Sequence, residues 1–220
     1  MTTHRDEIRI DIVSDVVCPW CIVGYLRLKP AMEAMADSVN FSVHWHPFEL
    51  NPHMPPEGQN LAEHLQQKYG STPEQSQANR QRLIDAGAEL GFEFRFTKDS
   101  RTYNTFKAHQ LLHWAGEQGQ DTALKLALFD AYFTDQKDIG DEAVLLDAVE
   151  KAGLDREEAA PVLSDQRFAE TVRTQENYWT SQGIHGVPAF IFNSRYLVSG
   201  AQETAVFTDV FNKLLTEKAA

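Results

Sequence analysis

The stretch from Ile8 to Cys21, "IRIDIVSDVVCPWC", constrains the fold more than any other part of the chain. Apolar Ile8, Ile10 and Ile12 alternate with polar Arg9 and Asp11, the period-two pattern of a strand. This strand runs straight into Cys18 and Cys21, the only two cysteines. From Trp20 to Ala36, Ile22, Leu26, Leu28, Met32 and Met35 suit a helix, with a kink expected at Pro30. "NFSVHWHPFEL" then restores alternation through Phe41, Val43 and Trp45 and ends near Pro47. Strand, helix and strand in this order predict a βαβ unit with a parallel pair and a right-handed crossover. The cysteines then fall at a strand-to-helix junction.

From about Asn60 to Gln182 the pattern changes to helix after helix, punctuated by Thr72 before Pro73 and by Gly70, Gly91 and Gly153. Strand character returns with "PAFIFN", a turn at Asn193 to Arg195, and "YLVSG", which together predict a hairpin. A last helix sets Val206, Val210, Phe211, Leu214 and Leu215 along one face. With the helical stretch set aside, βαβ followed by ββα is the order of a thioredoxin fold. The expected class is therefore α/β. Residues 1–58 and 184–220 would form the thioredoxin-like domain, and 59–183 an all-helical insertion.

Thirty-two acidic residues against 20 basic ones give a net charge of −12, which argues against general attraction to nucleic acid or anionic lipid. "MTTHRDEIRIDIVSD" lacks the apolar core of a signal peptide, and no apolar run approaches the roughly 18 residues of a membrane helix. The expected location is cytoplasmic. A reducing compartment disfavours a permanent structural disulfide and leaves catalytic, redox-sensing or metal-binding thiols.

A cysteine at a helix N-terminus lies beside unpaired N–H groups and the positive end of the dipole, which lower a thiol from about 8.5 into roughly the 3.5–7.5 range. Cys18 is placed there as nucleophile. Cys21, nearly one turn on, can attack a mixed disulfide formed at Cys18, and Pro19 fits the first turn. Half a zinc site has the same spacing, but zinc needs two further ligands. No third cysteine exists, and the best histidine pair, His44 and His46, brackets Trp45 on a strand. Two inert core cysteines are the third alternative. "HGVPAF" is the second marker: Pro188 opens a strand where a donor is not needed. A cis Val187–Pro188 bond would suit this entry, and Val187 would then offer its backbone to a substrate beside Cys18.

"DVVCPWCIVG", "WHPFELNP", "RTYNTFKAHQLLHWA" and "GVPAFIFNSRYLVSGAQ" together resemble the DsbA family of thiol-disulfide oxidoreductases. The resemblance is to its cytoplasmic FrnE-like branch, akin to 2-hydroxychromene-2-carboxylate isomerases and kappa-class glutathione transferases. It spans nearly the whole chain. It implies a thioredoxin fold with a helical insertion, Cys18 attacking and Cys21 resolving, and Val187 with cis-Pro188 facing the substrate. Between the cysteines stands Pro19-Trp20 where periplasmic DsbA has Pro-His, so a less acidic Cys18 and a less oxidising disulfide are expected.

Asp15, three residues before Cys18, is a candidate proton acceptor for Cys21, although a carboxylate this close would also raise a thiol. Asn104 and His109 are candidate ligand-binding residues, because the related glutathione-using enzymes employ this region. A helix cap and a hydrogen-bonded helix histidine are their simpler roles. Phe92, Phe94 and Phe96 form an apolar stripe suited to core packing or to a hydrophobic groove. The leading function is dithiol-disulfide exchange on disulfide-containing proteins or glutathione. It needs no bound metal, nucleotide or other cofactor, and glutathione or a thioredoxin-type protein supplies the electrons. Glutathione-dependent isomerisation or transfer on an aromatic small molecule is the alternative, and a chaperone-like module with sensing thiols is the third.

Overall fold

β1 (Asp6–Ser14) lies inside the sheet rather than at its edge. Ile8, Ile10 and Ile12 are buried as their alternation predicts, and from Ile10 onward the opposite face is covered as well. A strand buried on both faces is an interior strand, and the four-stranded order is β2-β1-β5-β6. The computed structural model describes residues 5–219. β2 (Val39–Pro47) runs parallel to β1, with Ile8 opposite Phe41 and Ile12 opposite Trp45. β5 (Ala189–Phe192) pairs antiparallel on the other side, with Ile12 opposite Phe190, and turns back as β6 (Tyr196–Ser199).

α1 (Pro19–Glu33) and α9 (Thr204–Ala219) share one face of this sheet. Tyr25 and Leu28 of α1 and Phe207, Phe211 and Leu214 of α9 pack on the β1 isoleucines, Phe190 and Phe192. Each large apolar side chain buried in this way contributes roughly 1.5–3 kcal/mol. The buried stripe of α9 is i, i+4, i+7 from Phe207, so the face expected from the sequence is rotated. Val206 is exposed, while Phe207, absent from that face, is fully covered. At Gly24 the two halves of the sheet layer meet: a Cβ there would lie 2.9 Å from Phe190 Cζ and 3.3 Å from Pro188 Cγ. No larger residue fits without displacement.

The stretch between β2 and β5 holds α2 (Leu61–Tyr69), α3 (Pro73–Glu89), α4 (Phe106–Gly116), α5 (Asp121–Phe129), α6 (Glu142–Lys151), α7 (Arg156–Asp165) and α8 (Ala169–Ser181). α2, α3, α6 and α7 start at side-chain caps. Asn60 Oδ1 accepts from Ala62 and Glu63 N–H to open α2, and a reciprocal Thr72–Gln75 capping box opens α3. Gly70, at φ 65°, ends α2 in the left-handed conformation. The stretch is not wholly helical: β3 (Gln59–Asn60) pairs antiparallel with β4 (Arg101–Thr102). Two residues are too few to show an alternation, so this ladder leaves no trace in the sequence. A five-residue π turn, Asp130–Thr134, continues α5.

The helices do not keep a core of their own. Leu83, Leu111, Leu124, Leu128 and Phe129 form one buried cluster with Val16, Cys18, Cys21 and Ile22. The cysteine turn therefore lies on the seam between the sheet and the helical stretch.

Candidate active site

β1 stops at Ser14 and α1 starts at Pro19, which leaves Asp15 to Cys18 as the turn between them. Cys18 is the N-cap of α1 in extended conformation (φ −90°, ψ 110°), and its N–H donates to the Asp15 carbonyl at 3.2 Å. Pro19 occupies the first helical position at no cost in hydrogen bonds. No side chain caps this end, so the positive end of the helix lies beside the sulfurs. Both cysteines are free thiols. Cys21 is fully covered, whereas Cys18 keeps 4% exposure and opens on a cavity of about 590 Å³.

Trp20 and Val187 share the wall of this cavity with Cys18, and Cys18 Sγ lies 3.6 Å from the Val187 carbonyl oxygen. The Val187–Pro188 peptide is cis. Pro188 itself stands outside this wall, against Gly24. Further round the cavity come Leu61, Leu65, Leu83 and Phe96, then His64, Asn79, Arg80 and Arg82. Phe96 thus lines the cavity, while Phe94 is buried against Phe92 and Phe133. Among the described residues no aspartate or glutamate lines this cavity, and Arg80 Nε is buried with no hydrogen-bond partner.

Behind the turn the arrangement is closed. Asp15 is fully buried, Oδ2 accepts the Leu50 N–H at 2.7 Å, and Oδ1 faces His109 Nε2 at 3.3 Å. The same Nε2 lies 3.1 Å from the Phe48 carbonyl, and because both neighbours are acceptors, Nε2 carries the proton. Lys125, on α5, is 1% exposed and donates to the Ser14 carbonyl at 3.4 Å, with the Trp45 and Phe129 rings each 5.3 Å from its Nζ.

These neighbours set the charges. Burial alone would raise the Asp15 carboxyl, but the hydrogen bond and charge of His109, the Leu50 N–H and Lys125 hold it below its usual range. With both oxygens already accepting, Asp15 is held as an anion behind the thiols. The thiols titrate as a pair. Burial opposes ionisation of Cys21, but the Cys18 sulfur and the Lys125 charge outweigh it and bring Cys21 below the ordinary thiol value. Cys18 is pushed up, first by its interaction with the Cys21 sulfur, then by burial and the Asp15 charge. The helix end therefore does not act on Cys18 alone: of the two sulfurs, Cys21 is the one that ionises more readily. Lys125 is lowered to about 8 by burial, against the pull of Cys21, Asp15, Cys18 and Asp121.

Two residues expected to bind ligand lie elsewhere. His109 is 2% exposed and outside the cavity, held by Asp15. Asn104 also misses the cavity. Its Oδ1 accepts the Phe106 N–H at 3.0 Å, and its Nδ2 donates to Glu49 at 3.3 Å, so it fastens the start of α4 to the loop after β2. Lys125 and Arg80 went unremarked in the sequence. A lone lysine inside "ALKLALF", a helix apolar nearly all round, is the signal for the first. Arg80 sits in a polar helix without any such contrast.

A family model described as DSBA-like thioredoxin domain matches residues 9–212. The chain belongs to the DsbA-like thioredoxin family. This DsbA-like chain is 36% identical to the probable DsbA oxidoreductase SCO1869 of Streptomyces coelicolor, whose structure superposes with a TM-score of 0.88 over 96% of this chain and 91% of that one. It is 27% identical to the uncharacterized protein YwbO of Bacillus subtilis (strain 168), over 99% of this chain and 98% of the other. The cytosolic disulfide reductase DsbM of Pseudomonas aeruginosa, in a structure with glutathione, shares the fold at a TM-score of 0.60 and 16% identity, over 96% of this chain and 98% of DsbM. Among the described residues of the DsbA-like chain no helix is long and apolar enough to cross a membrane. None of them forms a group of three or more His, Cys, Asp and Glu that could hold a metal ion. His46 is instead 2.7 Å from Asp11.

Proposed function

We propose that this protein is a cytoplasmic thiol-disulfide oxidoreductase whose Cys18 attacks small, carboxylate-bearing disulfides of the size of glutathione. The observation that carries the reading is the cavity in front of Cys18. Its 590 Å³ lies within the roughly 300–1,000 Å³ of small-molecule sites. In a chain of charge −12 it presents Arg80, Arg82 and His64 and, among the described residues, no acid. Such a lining favours a ligand with carboxylates. The glutathione in the structure of the DsbM relative supports the same class of partner.

In the proposed cycle a proton passes from Cys18 to Cys21, and the Cys18 thiolate attacks one sulfur of the disulfide. The Cys18–sulfur bond forms, the substrate S–S bond breaks, and the first half leaves with the electron pair and takes the proton that Cys21 had received, so Cys21 is again a thiolate. Cys21 then displaces the second half. Glutathione or a thioredoxin-type protein reduces the resulting Cys18–Cys21 disulfide. The Val187 backbone, beside Cys18, would align the substrate. The aliphatic and aromatic walls from Leu61 to Phe96 favour one second reading, glutathione-dependent isomerisation of an aromatic small molecule.

Exchange with glutathione disulfide and refolding of scrambled ribonuclease separate the two. Cys18→Ser is expected to abolish both activities, and Cys21→Ser to accumulate a mixed disulfide at Cys18. Unchanged turnover in Cys18→Ser would overturn the dithiol reading.

A further inference from the structure

We propose that Lys125 is the charge partner of the resolving thiol: its buried ammonium holds the Cys21 sulfur as a thiolate in the mixed disulfide, so that release does not wait for a base from solvent. The proposal rests on the dithiol cycle above and assigns a positioning role to a residue of the helical insertion.

A fully buried ammonium costs several kcal/mol and is tolerated only beside compensating charge or hydrogen bonds. Lys125 has one hydrogen bond, a long one of 3.4 Å to the neutral Ser14 carbonyl. Trp45 and Phe129 add ring faces, but no carboxylate stands within ion-pair distance among the described residues. Four groups of negative potential face it: Cys21, Asp15, Cys18 and Asp121. Asp15 is already taken by His109 and the Leu50 N–H, and Asp121 accepts the Thr122 N–H at 2.8 Å and the Trp45 N–H at 3.4 Å. Cys21 has neutral partners, the Cys18 sulfur, the Ser14 hydroxyl and the Asp15 backbone, and Lys125 is the cation that acts on it. Of the two thiols, only Cys21 must carry the charge once Cys18 is bound to substrate.

The step balances without a further reagent. The Cys21 thiolate attacks Cys18 Sγ, the Cys18–Cys21 bond forms, and the bond from Cys18 to the substrate sulfur breaks. The substrate sulfur leaves with the electron pair and is protonated by water in the cavity. Lys125 has then lost its anion, and in the disulfide form its proton is held less firmly than in the dithiol form.

Lys125→Met removes the charge and keeps the length of the side chain. The ultraviolet thiolate titration of the reduced variant is expected to move to higher pH. The equilibrium with glutathione is expected to shift about tenfold toward the protein disulfide, a potential roughly 30 mV more negative. The mixed disulfide is expected to live about tenfold longer. A folded variant with an unmoved titration and an unchanged mixed-disulfide lifetime overturns the proposal. The side-chain NMR signals of Lys125 in the unaltered protein provide a test that needs no variant: its titration should fall to lower pH on oxidation, and an equal value in both forms is equally fatal. If the unaltered protein forms no mixed disulfide with glutathione, the dithiol cycle fails, and the titrations still decide the role of Lys125.

Discussion

On its cavity side the cysteine turn meets Arg80, whose buried Nε has no partner among the described residues. On its core side it meets Asp15, whose two oxygens are both engaged and fully covered. An unpaired donor at the edge of a cavity costs free energy until a ligand or water satisfies it. A satisfied carboxylate sealed in the core has nothing to recruit, and its charge acts at full strength because the surroundings screen it poorly. The front of the turn is therefore built to choose a partner, and the back to set the chemistry of the thiols. Substitutions on the two sides should leave different kinetic signatures.

The largest effect that would break this division is at the front. Ionic hydrogen bonds contribute about 1.5–3 kcal/mol each, so Arg80→Ala combined with Arg82→Ala should raise KM for glutathione disulfide about 100-fold. The thiolate titration should stay where it is. A lower kcat at constant KM would mean that the front also sets the chemistry. At the back, Asp15→Asn removes the anion that pushes Cys18 up. Its thiolate titration should therefore fall to lower pH, opposite in sign to Lys125→Met, with KM little changed. An upward shift would show that His109, released from Asp15, matters more than the charge. Between the two sides, Gly24→Val pushes into Phe190 and Pro188 and should cost about 1–3 kcal/mol by overpacking, read as a lower midpoint of urea unfolding.

The back of the site was harder to find in the sequence than the front of the fold. Ile8, Ile10 and Ile12 announce β1, and the two cysteines mark its junction with α1, because strand and helix periods are local properties. Asp15 could be suspected from its closeness to Cys18. Its partners could not, since His109 lies 94 residues away and reaches it only because α4 packs beside the loop after β2. Lys125 was hidden for the same reason. A helix period shows which residues share a face but not which neighbour covers that face, and a lysine on a helix is by default solvated. The one clue was the apolar surround in "ALKLALF". β3 and β4 had none, since two residues are too few to show an alternation and the ladder joins segments separated by α2 and α3.

The smallest effect sharpens the comparison by moving along β1 from Asp15 to Asp11. Both carboxylates are buried and both face a histidine, but Asp11 lies four residues farther from the thiols, bound to His46 at 2.7 Å and to the guanidinium of half-exposed Arg9. Burial opposes its ionisation, but the hydrogen bonds from His46 and Arg9 prevail and lower it to about 2. A carboxyl lowered on folding stabilises the fold above its unfolded value, near 3.9, and loses that contribution as pH falls from about 4 through about 2. Discounted for the solvent around Arg9, the contribution is about 1–2 kcal/mol. Asp11→Asn should therefore flatten the loss of urea stability between neutral pH and roughly pH 3, and leave the thiolate titration unmoved. If the titration moved with it, the field that sets the thiols would extend along the whole of β1, and the division between the two sides of the turn would have to be redrawn.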